Sequence, residues 1–109
     1  MANNYKNAKV DLTGTGVTVL YTTPSATTTL IKSFLVSEDS GNADTITVTI
    51  TDAAASPAVF SLFKVKAVGA NATVELLTQP LVVQEDEIIK VTAATGNRLH
   101  VVASLLEIT

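Results

Sequence analysis

Asp44-Thr45-Ile46-Thr47-Val48-Thr49-Ile50-Thr51-Asp52 is the stretch that decides the fold. Ile46, Val48 and Ile50 take every second position, and Thr45, Thr47, Thr49 and Thr51 stand around them. Successive side chains of a strand point to opposite faces, so the segment turns an aliphatic row inward and a threonine row outward. All seven central residues are β-branched, which suits a pleated surface and costs χ1 freedom in a helix. The segment reads as a half-buried strand in a two-layer β protein.

Outward from it, the same alternation recurs between turn signals. Glu38-Asp39-Ser40-Gly41-Asn42 precedes it and is the strongest turn signal of the chain. Ala26 to Ser37 carries Leu30, Phe34 and Val36 on one parity and Ile31 and Leu35 on the other, which predicts a central strand or a face-swapping bulge. Further upstream lie Val17 to Thr22, closed by Pro24-Ser25, and a weaker edge-type strand over Tyr5 to Leu12, broken by Gly14-Thr15-Gly16. Downstream, Ala53 to Pro57 is a small-residue loop, with Pro57 starting the next edge. Val59 to Val68 follows, with Val59, Phe63, Val65 and Ala67 on one parity and Phe60, Leu62, Lys64 and Lys66 on the other. Gly69-Ala70-Asn71 turns into Thr73 to Leu77, which ends before Pro80, and Leu81-Val82-Val83 reads as a crossover segment. Ile88 to Thr95 and Leu99 to Ile108 complete the series. Eight or nine short strands at this spacing predict an all-β fold, an antiparallel β-sandwich or jelly-roll-like barrel. No window has a capped stripe of helical period, so no long helix is expected.

A chain of 109 residues is the size of one domain. Its 47% hydrophobic and 16% charged residues exclude a disordered chain, and 17 threonines tilt it toward β structure. The expected organisation is a single sandwich over residues 1–109, with residues 1–9 a flexible N-terminal arm. Without cysteine there is neither a disulfide framework nor a thiolate metal site. No apolar run reaches the length of a membrane span. The opening Met-Ala-Asn-Asn-Tyr-Lys-Asn lacks the basic and apolar regions of a signal peptide, so a cytoplasmic site of synthesis is expected. A net charge of −3 and scattered lysines argue against nucleic acid as a partner, which would require clustered Lys and Arg.

Catalytic parts are missing. His100 is the one histidine, lies in a strand, and has no second histidine or cysteine to act with, so it reads as an outward strand residue. Zinc fails for the same shortage of ligands. The acidic clusters Glu38, Asp39, Asp44 and Glu85, Asp86, Glu87 lack the alternating oxygen spacing of a calcium loop and read as solvated turns. Gly14-Thr15-Gly16 has no helix behind it to form a phosphate cradle. Asn71-Ala72-Thr73 matches the glycosylation acceptor pattern, which is idle without secretion. Phe34, Phe60 and Phe63 lie among aliphatic residues and read as core; with two tyrosines and no tryptophan, a sugar platform is weakly supplied. The residues thus assign no catalytic, cofactor-binding or metal-binding position, and a surface of Thr, Ser and Ala suits packing against other subunits.

Val19-Leu20-Tyr21-Thr22-Thr23-Pro24 followed by Thr29-Leu30-Ile31-Lys32-Ser33-Phe34 resembles the opening of small virion structural proteins encoded by tailed bacteriophages. The resemblance continues through Thr45 to Thr51, Val68-Gly69-Ala70-Asn71, Glu75-Leu76-Leu77, Leu81-Val82-Val83, Ile89-Lys90-Val91-Thr92-Ala93 and the ending Val101 to Thr109. It implies a β-sandwich of the virion, assembled in the host cytoplasm, that is not an enzyme and needs no cofactor. The expected role is a capsid decoration, or cement, protein forming homo-oligomers on the major capsid lattice, with Ala2 to Lys9 a tether that orders on binding. The alternatives are a neck, tail or fibre component, and a carbohydrate-binding adhesin using Tyr5 or Tyr21.

Overall fold

The computed structural model describes residues 2–52 and 58–109. The loop expected over Ala53 to Pro57 lies outside the described residues. Among the described residues are nine strands and no helix. They are β1 (Asn3–Leu12), β2 (Thr18–Thr22), β3 (Thr28–Glu38), β4 (Asp44–Thr51), β5 (Val59–Val68), β6 (Thr73–Glu75), β7 (Leu81–Val83), β8 (Ile88–Ala93) and β9 (Leu99–Ile108). Every pairing is antiparallel.

The strands form two sheets. One runs β1-β9-β3, with β6 and β7 sharing the far side of β3; the other runs β2-β8-β4-β5. With β6 and β7 taken as one interrupted strand, each sheet has four positions. The chain passes from sheet to sheet at most connections, which gives the two Greek keys of a jelly roll. The fold is thus a β-sandwich, as the alternation predicted.

The core is the layer between the sheets, where the residues of one parity meet. Ile31, Phe34 and Val36 of β3, Ile46 and Val48 of β4, Ile89, Val91 and Ala93 of β8, and Leu99, Val101, Ala103 and Leu105 of β9 are no more than 1% exposed. The organising segment is β4, inside its sheet between β8 and β5. Ile46 and Val48 are buried, and Thr45, Thr47 and Thr49 are half-buried on the other face.

The mixed parity of β3 has both of its foreseen causes. The strand is central, flanked by β9 on one side and β6 and β7 on the other. Its pairing with β9 also shifts between Ile31 and Ser33, so Ile31 and Phe34, three residues apart, both reach the core. A similar shift in β2 between Val19 and Tyr21 buries the consecutive residues Leu20 and Tyr21.

Three expectations need correction. The flexible arm over residues 1–9 is, from Asn3 onward, the first part of β1, paired residue for residue with β9 from Asn3–Ile108 to Leu12–Leu99. Its polar side chains bury little, but its main chain completes a ladder, and polarity alone does not reveal that. Leu81-Val82-Val83 is the short strand β7, paired to Thr29–Ile31 of β3, and not a crossover. Phe60 is 55% exposed instead of core, because β5 is an edge strand with two register shifts against β4.

The interruption between β6 and β7 has a specific remedy. Residues 76–80, ending in Pro80, leave the centre of β3 without a strand on the side away from β9. The Glu75 carboxylate fills in: it accepts the Phe34 amide (2.6 Å), the Ser33 hydroxyl and the Leu77 amide (3.3 Å). The Leu76 amide also donates to the Phe34 carbonyl at 2.9 Å. Burial works to raise the Glu75 pKa, but the Ser33 hydroxyl and the two amides outweigh it, so the group lies below its ordinary value.

Candidate functional site

Two kinds of surface feature emerge from this frame: polar groups committed to the fold, and apolar groups left facing water. Glu38 belongs to the first. It is 2% exposed and accepts from the Ser40 amide (2.7 Å) and hydroxyl, the Gly41 amide (3.0 Å) and the Asn71 amide (3.0 Å). One carboxylate therefore joins the β3–β4 turn to the β5–β6 turn. Burial pushes its pKa up, but the Ser40 hydroxyl and the amides of Asn71, Ser40 and Gly41 prevail and hold it at about 2.

The other acidic residues singled out in the sequence are used in similar ways. Asp44 accepts the Thr95 amide at 3.1 Å, Glu85 accepts the Ala26 amide, Asp86 accepts the Ser25 hydroxyl at 3.4 Å, and Glu87 accepts the Gln84 amide at 2.7 Å. These carboxylates tie turns, and among the described residues no group of three or more His, Asp or Glu side chains is placed to hold a metal ion. His100 stands half-exposed on the outer face of β9, with Nε2 3.3 Å from Asp11 and 3.7 Å from Asp39. Beside it a shallow depression of about 250 Å³ lies between β1 and β9, lined by Lys9, Val10, Asp11, His100, Val101 and Val102. The residues lining it include no serine, threonine or cysteine, and the register sets Ser37 of β3 opposite His100.

Between the sheets, Tyr21 makes a polar bridge that sequence reading missed. Its hydroxyl donates to Glu107 Oε2 on β9 and lies 2.8 Å from the Thr29 hydroxyl on β3. Lys6 of β1 approaches the same carboxylate oxygen at 3.5 Å. Tyr21 is 9% exposed, so it is not available to stack on a sugar. Tyr5, the other tyrosine, is 71% exposed on β1, with the Lys32 ammonium 5.7 Å from its ring centroid.

The apolar feature is on the outer face of the β1-β9-β3 sheet. Val82 lies opposite Leu30, Leu30 opposite Leu106, and Leu106 opposite Tyr5. Directly opposed residues share a face at about 5 Å between Cβ atoms, so these four side chains form one row across four strands. Leu35 and Val102, also paired and both 37% exposed, lie on the same face beyond the polar row of Asn7, Ser104 and Ser33. Its only sequence signal was the apolar doublets Leu30-Ile31, Leu35-Val36 and Leu105-Leu106, where one member faces the core and the other faces out.

Compared with protein-family models and with curated proteins, the chain matches none.

Proposed function

We propose that the chain is a structural protein of a tailed-phage virion, a decoration protein that binds the major capsid lattice and stabilises the head without catalysing a reaction. The observation that carries this reading is the outward apolar row Val82, Leu30, Leu106 and Tyr5. A contiguous apolar face on a small protein favours contact with another macromolecule, and its burial supplies the association energy. The polar residues with chemical potential, Glu38, Glu75, Glu107 and Tyr21, are occupied in holding turns and sheets together. Jelly rolls recur in viral capsid domains and also in lectins, so fold analogy is compatible with this role and does not select it.

The test has two parts. In purified particles of the phage that encodes the chain, decoration requires the protein in numbers comparable to the major capsid protein. A few copies per particle would move it to the neck, tail or fibre, and absence from particles would overturn the virion reading. Val82→Asp, on a side chain 52% exposed, is expected to abolish binding to undecorated capsids while changing stability by no more than about 0.5 kcal/mol. Undiminished binding by that variant would exclude the apolar row as the docking face.

A further inference from the structure

We infer that the free edge of β1 is a self-association surface, where two copies of this chain pair β1 against β1 about a two-fold axis and join their sheets into one. The inference concerns the chain in isolation and holds wherever it serves. An exposed strand edge is a template for pairing, and native proteins blunt it with bulges, short strands, charge or proline. Among the described residues three of the edges are shortened or interrupted, whereas β1 carries charge alone, in Lys6, Lys9 and Asp11. β5 has two register shifts, Lys64 and Lys66 on its length, and Val65 held at a φ of 53°, a conformation a β-branched residue rarely adopts. β6 and β7 are three residues each, parted by a segment ending in Pro80. β2 is five residues with a shift in its middle. β1 alone is long and regular: ten residues, one unbroken register, no proline.

The main-chain geometry of β1 fixes what that edge offers. The Thr109 amide donates to the Ala2 carbonyl at 3.0 Å, and Ala2 lies opposite Thr109 by extension of the Asn3–Ile108 register. In an antiparallel ladder the bonded pairs alternate, so Asn4, Lys6, Ala8 and Val10 bond β9. The amides and carbonyls of Asn3, Tyr5, Asn7 and Lys9 therefore point away from β9, toward the open edge.

Charge then narrows the register, and the end of the strand at Leu12 favours Asn7 as its centre. Centring on Lys6 or Lys9 sets like charges directly opposite each other, which is destabilising. Centring on Asn7 pairs Lys6 of one copy with Ala8 of the other and Lys9 with Tyr5, and lays two asparagines together on the axis. It also keeps the contact clear of Leu12, beyond which the chain bends, with the Thr13 amide on the Asp11 carbonyl at 3.0 Å. In this arrangement each Tyr5 lies opposite Lys9 of the other copy, an ammonium within reach of an aromatic ring.

Light scattering and sedimentation over a concentration series test it. The expected mass is twice the 11.4 kDa of the chain, falling to the single value on dilution. Asn7→Pro removes an outward N–H that β9 does not use, and is expected to lose the dimer. Because the chain has no cysteine, Asn7→Cys provides an independent check that does not rely on proline being tolerated. Bonded partners across an antiparallel pair have Cα atoms about 5.5 Å apart, within disulfide reach, so this variant is expected to give a covalent dimer on mild oxidation and Lys9→Cys is not. A chain that stays monomeric at every concentration, an unchanged dimer in a folded Asn7→Pro variant, or equal cross-linking of the two cysteine variants would overturn the inference.

Discussion

Tyr21→Phe tests the bridge between the sheets. The substitution keeps the ring in its buried site and removes only the hydroxyl, which donates to Glu107 and contacts Thr29. Glu107 is 7% exposed, and the loss leaves its carboxylate with Lys6 at 3.5 Å as its remaining charged neighbour. A hydrogen bond to a charged group contributes about 1.5–3 kcal/mol, and a deprived buried acceptor cannot recover it fully from water. With an unfolding entropy of about 2.1 cal/mol/K per residue over 109 residues, a loss of about 2 kcal/mol lowers Tm by about 9 °C. Urea and thermal unfolding measure this, and a double-mutant cycle with Glu107→Gln isolates the pair, with an expected coupling of about 1–2 kcal/mol. The same bridge has an alkaline signature. Burial, followed by donation to Glu107, pushes the Tyr21 pKa from 10.0 up to about 12. A folded-state pKa raised above the unfolded value gives stability that is present below pH 10 and is lost as pH rises toward 12. Tyr21→Phe should remove that part of the alkaline loss. A cost below about 0.5 kcal/mol, or additive effects in the cycle, would refute the bridge as a source of stability.

Glu38 gives the opposite pH window. Its pKa is lowered from 4.5 to about 2, so its contribution is present above pH 4.5 and is lost as pH falls toward 2. Glu38→Gln is expected to lower stability at neutral pH and to flatten the acid limb, as followed by urea unfolding at a series of pH values. Gly96→Ala addresses the β8–β9 turn: a Cβ there would stand 2.5 Å from the Thr13 carbonyl oxygen, which is backbone and yields poorly. The expected loss is about 1–3 kcal/mol, measured by chemical denaturation, with the end of β1 as the region whose amide protection falls most.

Local periodicity was enough to place the strands. The Thr-Ile-Thr-Val-Thr-Ile-Thr alternation marks β4 wherever it sits, because only a strand turns a period of two into one apolar face. Turn residues delimited the neighbours for the same local reason. Where the sequence carried two apolar parities, as in β3, the bulge was legible although its position was not. The edge strand over Tyr5 to Leu12 was legible, but Phe60 and the arm over residues 1–9 were misjudged because exposure and pairing depend on neighbours distant in sequence: Phe60 lies on an edge, and Asn3 to Leu12 finds its partner at residues 99–108.

The candidate surface was less legible still. Val82, Leu30, Leu106 and Tyr5 are spread over about a hundred positions, and only strand order and register make them one row. The joining of Tyr21 to Glu107, 86 residues apart, is of the same kind. By itself the sequence determined that this chain is a two-faced β protein, since alternation is a property of adjacent residues. The tertiary structure decided which outward residues meet and which strand edge stays open, because both depend on non-local pairing that no local pattern encodes.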